Sequence, residues 1–102
     1  MSYTVEVKKN EDVSYSCSNM SWHLMWSEIE EAVSEQHKPA IQKIQDASHE
    51  GKSIRWLTCR KIAAALETIP QGAGCFSAPC TIEELLVVFR AAVEMKSSVR
   101  IW

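Results

Sequence analysis

Residues 81–102 leave the fold little freedom, because a helix with a single apolar stripe runs directly into a short alternating strand. Thr81 followed by Glu84 forms a capping-box pattern, which fixes where the helix starts. Ile82, Leu85, Leu86, Phe89, Ala92 and Val93 recur at three- and four-residue steps, while Glu83, Glu84, Arg90, Glu94 and Lys96 fall largely elsewhere. Val99-Arg100-Ile101-Trp102 then alternates as a strand does. A strand that short cannot stand alone, so the rest of the chain must supply the sheet it joins.

The N-terminal residues offer that partner. Tyr3, Val5 and Val7 alternate with polar residues, Asn10-Glu11-Asp12 carries turn chemistry, and Val13, Tyr15 and Cys17 resume the alternation, which predicts a β-hairpin with one buried face. Candidate caps at Ser18–Ser21 precede a helix with apolar positions Trp22, Met25, Trp26, Ile29, Ala32 and Val33, and with Glu28, Glu31 and Glu35 on its outer side. Pro39 suits the first turn of a second helix with a narrow stripe of Ile41, Ile44 and Ala47 or Ser48, closed by Gly51. Ser53 is the expected cap of a third helix carrying Ile54, Trp56, Leu57, Cys59, Ile62, Ala63, Leu66 and Ile69. Residues 70–79 hold two of the three glycines and form the one substantial loop. The expected architecture is a single α+β domain spanning residues 1–102. In it a small antiparallel sheet, the N-terminal hairpin plus the C-terminal strand, packs against four helices.

Composition narrows the function classes. No window approaches the roughly 20 apolar residues that span a bilayer, and the N-terminus reads as strand and not as a secretory signal, so a cytoplasmic location is expected and a membrane partner is not. A formal net charge of −2 argues against broad electrostatic binding of nucleic acid. The four cysteines are then expected to be reduced, small apolar residues.

Candidate chemistry is sparse. Gly51-Lys52-Ser53 matches the tail of a phosphate loop, but that pattern needs glycine where Asp46 stands. What survives is a glycine before an expected helix start with Lys52, Ser53 and Arg55 beside it, the composition of an anion site, set against an ordinary capped helix. Cys75 and Cys80 lack zinc-ligand spacing and the three histidines show none among themselves, so no metal or other cofactor is expected. No nucleophile–base pair or carboxylate dyad names a catalytic residue. Four tryptophans crowd a chain of 102 residues. Trp22, Trp26, Trp56 and Trp102 are either a tryptophan-rich core or, in part, surface anchors for a partner, with Arg55, Arg60 and Lys61 flanking Trp56.

Val13 to Cys17, Asn19 with Met20, Met25 with Trp26, Leu85 to Val93 and Val99 to Trp102 follow one another in an order that resembles a group of small proteins of bacteriophages and bacteria. The resemblance covers the two ends of the chain, and its motifs are short. It implies a phage or prophage setting, in which compact acidic proteins act by binding host machinery. The expected function is therefore a non-enzymatic binding protein that inhibits or modulates a host protein, a component of a defence system among the candidates. Trp22, Trp26, Trp56, Arg55, Arg60 and Lys61 are its expected anchors. The alternative is a small-ligand protein that sequesters a nucleotide-like signal through Lys52, Ser53 and Arg55. Uncovered sheet edges admit a homodimer.

Overall fold

The computed structural model describes residues 2–51, 53–69 and 81–102, without the side chains of residues 19, 49, 50 and 81. Strands β1 (Ser2–Val7) and β2 (Asn10–Ser18) lead into helix α1 (Asn19–Ala32). A single 3₁₀ turn at Glu35–His37 precedes α2 (Lys38–Glu50). Then come β3 (Ser53–Ile54), α3 (Trp56–Glu67), α4 (Thr81–Met95) and β4 (Val99–Ile101). The fold is α+β: four antiparallel strands in the order β2-β1-β4-β3, with the helices on one face. Among the described residues no helix is long and apolar enough to cross a membrane.

Strand alternation divides the sheet into two unlike faces. Val5 pairs with both Tyr15 and Ile101, Val7 lies opposite Val99, and Ile54 joins Val99 from the other side. Val5, Val7, Ile54, Val99 and Ile101 are all buried under the helices. The intervening residues, Thr4 opposite Ser16, Glu6 opposite Ser14 and Arg100, and Ser53 opposite Arg100, point the other way. Helices α1 and α4 cover β1 and β2, α2 covers β3, and α3 lies against α4 and α2. The stripe Ile82, Leu85, Leu86, Phe89 and Ala92 is buried as its spacing predicts, and so are Ile41, Ile44 and Ala47 of α2.

Local signals end the elements as expected in most places. Ser18 Oγ accepts the Ser21 N–H at 3.2 Å and caps α1. Gly51, at φ +66°, donates its N–H to the Ala47 carbonyl and closes α2. At the end of α4, Lys96 and not a glycine takes the left-handed position, at φ 51°. The Lys96 and Ser97 N–H groups return to Val93 and Ala92, the bond pattern of a Schellman motif. The Lys9 ammonium sits 3.3 Å from the Met95 carbonyl, placing a cation at the negative end of that helix.

Three expectations need correction. Ser53 does not cap a helix: Ser53 and Ile54 form β3, and α3 starts at Trp56 with Arg55 as its N-cap residue. Ile54 is buried opposite Val99 on the edge of β4, a tertiary contact that the local cap signal does not report. The hairpin turn is Lys8–Lys9, while Asn10, Glu11 and Asp12 fall where the β1–β2 register shifts. A tertiary bond holds the turn at this position: the Lys9 N–H donates to Ser97 Oγ at 3.1 Å. Finally, Ala32 and Leu57, read as apolar stripe positions, are exposed. The Thr81 side of the capping box, and Lys52, Cys75 and Cys80, lie outside the described residues.

Candidate functional site

The tryptophans separate into three environments. Trp22 and Trp26 are core residues, each 1 % exposed, and cannot be surface anchors as the sequence suggested. The Trp22 ring stacks on Tyr3 at 5.4 Å, meets Trp26 edge-on at 5.6 Å, and Trp26 continues to Phe89 at 6.4 Å. This aromatic chain fills the space between the sheet and helices α1 and α4. Trp22 Nε1 donates to Ser48 Oγ at 2.8 Å, and the Ser48 hydroxyl in turn donates to the Ile44 carbonyl at 2.7 Å. Trp26 Nε1 is buried with no acceptor among the described residues.

Trp56 is half-buried at the start of α3. Helical spacing places Arg60 beside it, one turn on, and sets Lys61 one turn beyond the exposed Leu57. Arg55, Arg60 and Lys61 are exposed, so α3 does present a basic ridge with apolar interleaving. Arg60 also lines a groove of about 330 Å³ between α3 and α4, floored by Ala63, Ala64 and Val93 and bordered by the Arg90–Glu67 ion pair at 3.1 Å.

Trp102, which is not among the expected anchors, is the most exposed of the four tryptophans at 61 %. Its backbone exchanges two hydrogen bonds with Thr4, at 2.7 and 2.9 Å, which fixes it on the uncovered face of the sheet. The Arg100 guanidinium carbon lies 5.4 Å from the ring centroid. Arg100 also donates from Nε and Nη2 to Glu6 Oε1, at 3.1 and 2.7 Å, and shields a carboxylate whose residue is only 7 % exposed. The signal was present: alternation puts Arg100 and Trp102 opposite Val99 and Ile101, and the latter pair is apolar.

A second candidate is a cleft of about 370 Å³ between α2 and the β3–α3 junction. It brings Ser53 and Arg55 together with Lys43 and Thr58, over a wall of Ala47 and Ile54. Asp46 shares that wall and opposes an anion. Of the three residues expected to hold a nucleotide-like ligand, Ser53 and Arg55 therefore meet, and Lys52 lies outside the described residues.

Chemistry finds little to work with among the described residues. No three His, Cys, Asp or Glu side chains gather where they could hold a metal ion. Burial pushes the Cys59 thiol up to about 12, and it also raises that of the half-buried Cys17, so both sit in environments that suppress the nucleophilic thiolate. Comparison with protein-family models, with curated proteins and with solved structures returned no match.

Proposed function

We propose that this chain is a non-enzymatic binding protein that acts by occupying the surface of another protein, with the uncovered sheet face around Trp102 as its contact. One observation supports this above others: a large aromatic ring stands exposed just past β4 on a residue whose backbone is paired with Thr4, beside an arginine that is itself anchored to Glu6. Tryptophan and arginine dominate interface energetics, and a residue whose backbone is already paired has little backbone left to order on binding. In the phage setting implied by the resemblance the partner is a host protein, and defence components are the first to screen. Trp102→Ala should reduce capture of that partner at least tenfold while the domain stays folded. Loss of capture in Arg60→Glu/Lys61→Glu with Trp102→Ala unaffected would move the contact to α3.

The cleft beside Ser53 and Arg55 favours a second reading, a site for a small anionic ligand of nucleotide type. Lys43 and Arg55 supply positive charge, and Ser53 and Thr58 supply hydroxyl donors. Nucleotides that bind there should raise the melting temperature in a concentration-dependent way, and Lys43→Ala should abolish the rise. A broad panel without any shift would remove this reading.

A further inference from the structure

We infer that β2 is the interface of a symmetric homodimer, in which the Val13–Cys17 edges of two copies pair antiparallel about a two-fold axis at Tyr15 to make one continuous eight-stranded sheet. The free edge follows from hydrogen-bond parity. Thr4 exchanges both backbone bonds with Trp102, so the even residues of β1 face β4 and Val5 faces β2. Tyr15, opposite Val5, therefore directs its N–H and carbonyl inward, and Ser14 and Ser16 direct theirs out of the sheet. Among the described residues no backbone group pairs with that outer edge.

Natural edges are usually guarded by charges, proline or a bulge; β2 carries such guards only at its start, where Glu11 and Asp12 accompany the register shift, and Val13–Ser18 has none. Its uncovered face carries serines small enough to permit close approach. On the helix side Val13 and Cys17 remain half-buried, whereas Val5 and Val7 on the neighbouring strand are fully buried.

The occupant is a second copy because the edge complements itself. With the axis at Tyr15, Ser14 faces Ser16 of the second copy and each such pair exchanges both N–H···O bonds. Val13 faces Cys17, and no like charges oppose each other. Glu11 and Asp12 lie where β2 is irregular, so the pairing between copies ends at Val13 and Cys17 and brings no carboxylates face to face. The opposite edge of the sheet is the two-residue β3, which gives a further copy little to pair with, so the assembly closes at two.

Sedimentation equilibrium of the full chain at rising micromolar concentration should show twice the 11.5 kDa monomer mass. Ser14→Lys/Ser16→Lys places like charges opposite one another and should weaken association at least tenfold, with an unchanged circular dichroism spectrum. Ser14→Lys/Ser16→Glu places lysine against glutamate in this register alone and should restore dimerisation to within about threefold of the starting affinity. A chain that stays monomeric throughout overturns the proposal, as does a dimer indifferent to the paired lysines. Failure of the lysine–glutamate variant to recover would overturn the Tyr15 register.

Discussion

The two faces of this sheet are built from alternate residues of the same strands, yet they behave as different materials. Beneath the helices lie Val5, Val7, Ile54, Val99 and Ile101, joined to the Tyr3–Trp22–Trp26–Phe89 aromatic chain. On the other side lie Thr4, Ser14, Ser16, Ser53, Arg100 and Trp102, with Glu6 shielded by Arg100 and not by a helix. One face stabilises the fold through removal of apolar area from water. The other holds the Arg100–Glu6 pair and the exposed Trp102, and is the face proposed above to make contact. Tryptophan occurs on both, so residue type alone does not say which task a side chain performs.

The sharpest way to break this contrast is to truncate one tryptophan on each side. Trp22→Ala should cost about 3–5 kcal/mol, the usual range for an aromatic removed from a packed core, read as a lower urea midpoint. A loss below about 1 kcal/mol would mean the covered face is not the stabilising one.

The covered side also predicts a pH effect. Cys59 is protonated in the native state up to about 12, against 9.0 for an ordinary thiol, so above 9 the unfolded chain loses a proton that the folded chain keeps. Its contribution is complete below that value and falls by about 1.4 kcal/mol per pH unit as the pH rises toward 12. Unfolding of the parent chain and of Cys59→Ala at pH 8 and pH 10.5 isolates the effect from other titrating groups. Equal pH sensitivity in the two would show that Cys59 is not buried as described.

Arg100→Ala probes the uncovered side, since it leaves the Glu6 carboxylate beneath no cation. The cost should be about 1–2 kcal/mol, because Arg100 is half-exposed and water can reach part of the vacated space. A double-mutant cycle with Glu6→Gln should recover part of that loss. The smallest change is expected for Trp102→Ala, at about 0.5 kcal/mol or less in stability, with the whole of its effect on binding. A large destabilisation there would return Trp102 to the core side of the comparison.

Legibility in the sequence followed periodicity. The alternation at Tyr3, Val5 and Val7 and at Val99 and Ile101 revealed both sheet segments and their pairing, and the stripe from Ile82 to Ala92 revealed the covering helix. Ile54 was misread because two residues carry no period, and Ser53 before a long apolar run resembles a cap. The fates of Trp22, Trp26 and Trp102 could not be separated by composition: burial of the first two depends on Tyr3 and Phe89 arriving from distant parts of the chain. The cleft beside Arg55 was half-legible, since Lys43 joins it only through the packing of α2 on β3.

The position of β4 between β1 and β3 has a kinetic consequence. The Glu6–Arg100 contact spans 94 residues, so the middle of the sheet is formed by the two segments most distant along the chain. Hairpin formation and helix α1 can come early, because their contacts are local, but β1 then keeps one edge open until residues 99–102 close a very long loop. That closure carries its entropy cost before any of the central ladder is gained. Refolding should therefore be slow for a chain of this length and rate-limited by docking of the last strand, with Trp102 fluorescence changing in that final phase and the buried tryptophans responding earlier.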